Sequence, residues 1–252
     1  MLQNRFMPCL LVKNGRLVKT VKFKNPHYVG DPVNAIKIFN DKEVDELIVV
    51  DINATKDNKG PNFELIKDIA DECFMPVCYG GGIESIQQIK SLFSLGIEKV
   101  ALNSYAMVKK NLITESAKKF GSQSIVLSID VKRQQPGHYI VYTQGGTKKS
   151  IYNLKEYVKI VEDSGAGEIL LNSIDRDGTW EGFDTDMIRS VTSSVNIPVI
   201  AVGGAGNTQH ISDAIQNGGV SAVALGSMSV YQKKGMGVLI RFPKRENLPN
   251  EK

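Results

Sequence analysis

The chain has 252 residues, enough for one α/β barrel or two smaller domains, and its 42% hydrophobic and 23% charged content is that of an ordinary globular protein. A formal net charge of +4, with both signs scattered along the chain, argues against nucleic acid binding and suits an anionic substrate. No signal-peptide pattern and no membrane-spanning apolar run is present, and the three cysteines (Cys9, Cys73, Cys78) lack metal-ligand spacing, so free thiols in a reducing cytoplasm are expected.

In chain order, short β-rich runs alternate with amphipathic stretches. Phe6–Val12 reads as a buried strand that ends in a polar loop at Lys13-Asn14-Gly15-Arg16, and a helix is expected over Asp31–Asn40. Strand Glu46–Asp51 precedes helix Asn62–Cys73, and strand Pro76–Gly80 precedes helix Ser85–Leu95. Strands Glu98–Leu102 and Ser124–Asp130 follow. Residues 131–150 then break the rhythm; Tyr139–Thr143 alternates and Gly145-Gly146 can turn, so a small inserted hairpin is expected there. Helix Leu154–Asp163, strand Glu168–Asn172, helix Asp184–Ser193, strand Pro198–Val202, helix Asn207–Asn217 and strand Ala222–Gly226 complete the series. From about residue 232 the tail is rich in Gly, Pro and charge, with "GVLIRFP" as a docking strand or coil.

Most of these strands are continuously apolar, as strands buried on both faces should be. Eight of them with intervening helices predict a single (β/α)8 TIM barrel over 1–252. The alternative, a doubly wound open sheet, more often carries G-x-G-x-x-G after its first strand, and none is present there. An internal repeat favours the barrel: "MPVCYGGGIESIQQIKSLFSLGIEKVALNS" (75–104) aligns with "IPVIAVGGAGNTQHISDAIQNGGVSAVALGS" (197–227) with one inserted residue. The copies start 122 residues apart, close to half the chain, as two similar half-barrels would place them.

The repeat also carries chemistry. Gly81-Gly82 and Gly203-Gly204 each follow a strand and precede a helix, where glycine lets backbone N–H groups approach an anion. Asn103-Ser104 and Gly226-Ser227 end the next strand of each copy, so two phosphate sites are expected across one barrel mouth. The plainer reading is that such glycines only permit tight turns. Asp51, Asp130, Asp175 and Asp177 fall at carboxyl ends of strands, the face where barrel enzymes work, and could shuttle protons or merely cap helices. His27, His138 and His210 have no partners at ligand spacing, so neither metal nor cofactor is expected.

Together "RFMPCLLVKNGRLVK", "ELIVVDINAT", "VCYGGGI", "KVALNS", "SIDVKR", "GAGEILLNSIDRDGTWEGFD", "VGGAG" and "ALGS" resemble the cyclase subunit of imidazole glycerol phosphate synthase, to about Tyr231. The resemblance implies a (β/α)8 enzyme that receives ammonia from a glutaminase subunit and acts on a phosphorylated small molecule. Carried over, it puts one phosphate site on Gly82, Asn103 and Ser104 and the other on Gly204, Gly226 and Ser227 with Gly203 beside them. It makes Asp130 the second catalytic aspartate, Lys19 a loop lysine near the ligand, and Asp177 with Gly178 substrate contacts. It also implies an ammonia gate of Arg5, Glu46, Lys99 and Glu168 at the lower end of the barrel, where plain structural ion pairs are the alternative.

The departures are specific. Where the family carries its first catalytic aspartate, in "CLDV", this chain reads "CLLV", with Leu11; aligning "PCLLVK" with "LSIDVK" places Leu11 opposite Asp130. Asn172 and Val202 replace a threonine and a serine, and the tail "QKKGMGVLIRFP" also differs. These changes resemble a paralogous branch associated with surface-polysaccharide sugar amidation, working with a glutaminase and an ATP-dependent amidotransferase. Three readings follow: an ammonia-channelling subunit in nucleotide-sugar amidation or amidination, an authentic cyclase of histidine biosynthesis, or a non-catalytic conduit.

Overall fold

Each apolar run does form a strand in the computed structural model, which describes residues 4–42, 44–109 and 111–249; the ends of the expected 1–252 domain lie outside the described residues. The barrel strands are β1 (Arg5–Lys13), β4 (Leu47–Asp51), β5 (Val77–Gly80), β6 (Lys99–Leu102), β7 (Ile125–Gln135), β10 (Glu168–Ser173), β11 (Val199–Val202) and β12 (Ala222–Leu225). All eight pair in parallel in that order, and β1 pairs with both β4 and β12, so the ladder closes into a (β/α)8 TIM barrel. The remaining strands are β2 (Arg16–Val21), β3 (Lys24–Gly30), β8 (His138–Thr143) and β9 (Lys148–Asn153).

Helices α1 (Pro32–Asn40), α2 (Phe63–Glu72), α3 (Ile86–Ser94), α4 (Ser104–Val108), α5 (Asn111–Phe120), α6 (Leu154–Asp163), α7 (Thr185–Thr192), α8 (Thr208–Gln216) and α9 (Ser227–Val230) surround it. Six of them start on a residue whose side chain accepts a backbone N–H of the first turn: Asp31, Asn62, Ser85, Asn153, Asp184 and Asn207. These caps satisfy otherwise orphaned donors and fix where each loop hands over to its helix. None of the described helices is long and apolar enough to cross a membrane.

Successive side chains of a strand point to opposite faces, and both faces here are buried. Outward residues such as Phe6, Leu10, Val12, Val49 and Leu127 pack with the helices into one large core. Inward residues Met7, Cys9, Ile48, Cys78, Ala101, Val126, Leu170, Ile200, Ala222 and Ala224 fill the barrel, with Leu11 and Val50 against them.

Three features differ from the sequence expectation. The polar loop at residues 13–16 is the turn of a β-hairpin: Lys13 pairs with Arg16, and Asn14 (φ 51°) and Gly15 (φ 74°) both adopt the left-handed conformation that two-residue hairpins require. The resulting β2–β3 ribbon arches over the mouth of the barrel. At 131–150 the expected hairpin forms, β8 pairing antiparallel with β9, and the difference is that β7 itself runs on to Gln135 and pairs antiparallel with β8. Finally, α4, α5 and α9 fall where no helix was expected; α4 and α9 begin directly at Ser104 and Ser227. The tail folds back onto the barrel, with Leu239 N donating to Val230 O at 2.9 Å and Phe242 set edge-on to Phe39 at 6.4 Å.

Candidate active site

The inward positions at the carboxyl ends of the strands open into a cavity of about 220 Å³ under the β2–β3 ribbon. Lys19, Asp51, Asn103, Ser104, Asp130, Asp177 and Gly226, all expected from the sequence as site residues, line it. Leu11, Val50 and Val202 line it too and form an apolar stretch of wall.

Asp130, near the end of the barrel part of β7, is only 7% exposed. One carboxylate oxygen accepts from Asn103 Nδ2 at 2.9 Å, while the second Nδ2 hydrogen goes to Ser128 O at 3.1 Å. Burial pushes the carboxyl up to about 7; the Asn103 bond pulls it down and the charge of Asp177 adds to the rise. Near neutrality such a group can act as either general acid or general base. Asp177 is tied to the ribbon instead, accepting from Thr20 Oγ1 at 2.8 Å and Phe23 N at 3.2 Å, and burial raises its carboxyl. Asp51 Oδ1 accepts from Asn53 N at 3.0 Å and Ala54 N at 3.1 Å, holding the turn after β4 while burial raises its pKa. Asp175 lies outside the cavity, in an open surface groove with Arg133 and Arg176, and accepts from Arg133 N at 2.8 Å.

Lys19 reaches down from β2 and donates to Cys9 O at 2.5 Å. Burial lowers its pKa, with Cys9 and Asp177 acting in the other direction. Among the described residues no carboxylate lies within ion-pair distance of it. An amine buried this deeply, with no carboxylate in ion-pair contact, gains from an anionic ligand that helps it hold its proton. Its Nζ stands 3.3 Å from where a Cβ on Gly226 would lie, so a side chain there would crowd the amine.

Gly82, Gly178, Gly203, Gly204 and Ser227 are not in the cavity wall, whereas Gly81 is. At Gly204 (φ +112°) a Cβ would fall 2.2 Å from Gly182 O, and at Gly178 (φ +69°) 2.4 Å from Thr20 O. Close backbone approach therefore accounts for both glycines whether or not an anion binds. Two further polar features belong to the site. Asn172, in register with Asp130 on the neighbouring strand, buries an Oδ1 that has no hydrogen-bond partner. The β8–β9 turn lies over the mouth, with Gly145 in the cavity wall and Gln144 N donating to Ser104 Oγ at 2.9 Å.

At the opposite end the barrel is closed by charge. Arg5 pairs with Glu46 at 2.8 Å and with Glu168, and Lys99 pairs with Glu46 at 2.9 Å and Glu168 at 3.1 Å. The four side chains thus form a ring of alternating sign. Burial works against both cations, but the carboxylates, Glu168 foremost, hold their pKa values above the ordinary range. Glu46 Oε1 is buried and unpartnered. Between this ring and the cavity lies the apolar filling of the barrel.

The sequence profile described as histidine biosynthesis protein matches residues 5–235. A relative from Pseudomonas aeruginosa, provisionally named imidazole glycerol phosphate synthase subunit hisF2, is 50% identical over 243 residues, covering 96% of this chain and 97% of that protein. One from Leptospira interrogans, provisionally named subunit HisF of the same synthase, is 44% identical over 98% of each chain. The imidazole glycerol phosphate synthase subunit HisF of Streptococcus sanguinis is 41% identical over 92% of each.

Proposed function

Since this chain belongs to the histidine biosynthesis protein family, with relatives named as HisF subunits of imidazole glycerol phosphate synthase, we propose that it is an ammonia-using barrel subunit of a glutamine amidotransferase system whose reaction has moved away from cyclisation. A glutaminase supplies ammonia at the ring of Arg5, Glu46, Lys99 and Glu168. The ammonia crosses the apolar interior to the mouth, where a phosphorylated substrate sits against Lys19, Ser104 and the Gly226-Ser227 segment. Asp51, Asp177, Gly178, Gly82, Gly203 and Gly204 shape the loops around it. The product is an amidated or amidinated nucleotide sugar for surface polysaccharide, made together with an ATP-dependent amidotransferase.

The observation that carries this reading is Leu11. It lines the cavity with Asp130 but neither donates nor accepts a proton. Losing one acid–base partner typically costs about 10²–10⁴ in rate. The alternative, an authentic cyclase, draws on the retained phosphate residues and on the lone buried ammonium of Lys19. Incubation of the purified protein with ammonium and the formimino ribonucleotide substrate separates the two. No cyclisation is expected, and Leu11→Asp is expected to raise it by at least tenfold. Turnover within tenfold of an authentic cyclase would overturn the proposal.

A further inference from the structure

A run of hydrogen bonds leads from the turn over the mouth to the buried acid. Gln144 N donates to Ser104 Oγ at 2.9 Å, and Ser104 Oγ donates to Asn103 Oδ1 at 3.1 Å. Asn103 Nδ2 then donates to Asp130 at 2.9 Å. The orientation of the Asn103 amide is fixed twice over, because its other Nδ2 hydrogen bonds Ser128 O and its oxygen has Ser104 as donor. Every bond therefore points the same way, toward the carboxylate. Hydrogen bonds arranged head to tail polarise one another, strengthening each by about 10–30%. The turn is packed in place: a Cβ on Gly146 would meet the Phe23 ring at 2.9 Å, and one on Gly145 would meet the Lys56 side chain at 3.0 Å.

We propose that Ser104 is a positioning residue for Asp130: its hydroxyl, through the Asn103 amide, helps to decide whether the carboxyl holds a proton, and a ligand oxygen that captures that hydroxyl hydrogen favours the protonated acid. When Ser104 turns to a ligand, Asn103 Oδ1 loses its donor, Nδ2–H becomes a weaker donor, and the ionised carboxylate is less stabilised. An anion bound at Ser104 would then arm Asp130 as a general acid only once substrate is seated. The ligand half rests on the phosphate reading above, whereas the relay itself does not.

Other charges face Asp130 from the surrounding elements. Asp177, in the loop after β10, opposes its ionisation. Cys9 on β1 is a thiol pushed up to about 11 by burial, and Lys19 on β2 is bound to the Cys9 carbonyl. Asp51 and Lys56 line the same cavity, and Tyr142 lies in register on β8. None of these groups hydrogen-bonds Ser104 Oγ, whose partners are Gln144 N and Asn103 Oδ1.

The test is a pH titration of Asp130 in the full chain carrying ¹³C-carboxyl aspartate, with its resonance identified by its loss in Asp130→Asn. Ser104→Ala is expected to raise the midpoint by about 0.2–0.5 in pH, and Asn103→Ala by about 1 or more. Ser104→Thr, which keeps the hydroxyl, should titrate like wild type. If Ser104→Ala does not fold, Ser104→Cys, a weaker donor of similar size, should move the midpoint the same way. An unmoved midpoint in a folded variant lacking the hydroxyl overturns the relay. Inorganic phosphate is then added: a larger rise in wild type than in Ser104→Ala supports the coupling. Equal rises mean that phosphate acts by charge alone and overturn the coupling; no rise in either protein rejects the phosphate reading while the relay stands.

Discussion

Replacing Asp130 by asparagine should stabilise the protein, and by more at high pH than at low. Asp130 is buried and its carboxyl is pushed from 3.8 up to about 7. Between those values the folded protein keeps a proton that the unfolded chain has released, so stability falls as pH rises through that window. At about 1.36 kcal/mol per pH unit, the rise corresponds to about 4 kcal/mol once the carboxyl is fully ionised, and to about 2–3 kcal/mol between pH 5 and pH 8. The amide introduced by Asp130→Asn would still accept from Asn103 Nδ2 through its own oxygen while carrying no charge. Urea unfolding of both proteins at pH 5, 6, 7 and 8 isolates the effect, because titrating groups not coupled to Asp130 cancel in the difference. The advantage of Asp130→Asn is expected to grow by about 2–3 kcal/mol across the series. A difference that stays flat, or shrinks, would mean that Asp130 ionises at an ordinary pKa, and would remove it as a neutral-pH acid.

Two further substitutions probe the frame. Glu46→Gln leaves Arg5 and Lys99 sharing Glu168 alone; breaking a fully buried pair costs about 3–5 kcal/mol, and since these cations are 28% and 21% exposed, a loss of roughly 2–3 kcal/mol is expected in urea unfolding. Full stability in Glu46→Gln would show that the ring is not structural. Gly204→Ala sets a methyl 2.2 Å from Gly182 O at φ +112°, which should cost roughly 1–3 kcal/mol in backbone strain and lower the thermal midpoint, whatever the ligand. An unchanged midpoint would show that the Gly182–Gly204 contact yields freely.

The barrel was legible because its strands are apolar throughout and its helices start on Asn, Asp or Ser. That same continuity hid which face of each strand looks inward. The apolar pattern of "PCLLVK" does not by itself separate Leu10, in the outer core, from Leu11, in the cavity; the alignment with "LSIDVK", which set Leu11 opposite Asp130, did. The strand-end carboxylates sort in the same way: Asp130 and Asp177 enter the cavity, while Asp175 is drawn outside it by the amide of Arg133. The β2–β3 ribbon had a readable signal in Asn14-Gly15, whose left-handed conformations suit a two-residue hairpin. The β8–β9 turn was signalled by Gly145-Gly146, but its contact with Ser104 was not, because that contact is made by a backbone N–H that any residue could supply. Close packing requires glycine at 178 and 204 whether or not an anion binds, so these two positions do not discriminate between the anion reading and the plainer one.

Leu11 changes more than the count of proton carriers. A further carboxylate at position 11 would join Asp51, Asp130 and Asp177 in this cavity, and like charges sharing a site drive one pKa up and split the titration between them. With Leu11, Val50 and Val202 in the wall, the high proton affinity of Asp130 comes first from burial, and Asn103 alone among its neighbours hydrogen-bonds its carboxylate. A ring closure that delivers a proton on one side and removes one on the other is poorly served by such a site. Addition of ammonia at a single electrophilic centre asks less of the wall, since one group near neutrality can take up and return a proton at the same place. The apolar residue at position 11 and the buried acid at position 130 therefore fit the proposed amidation chemistry as a pair, which is why the response of cyclisation to Leu11→Asp and the pH response of Asp130→Asn test the same idea from opposite walls.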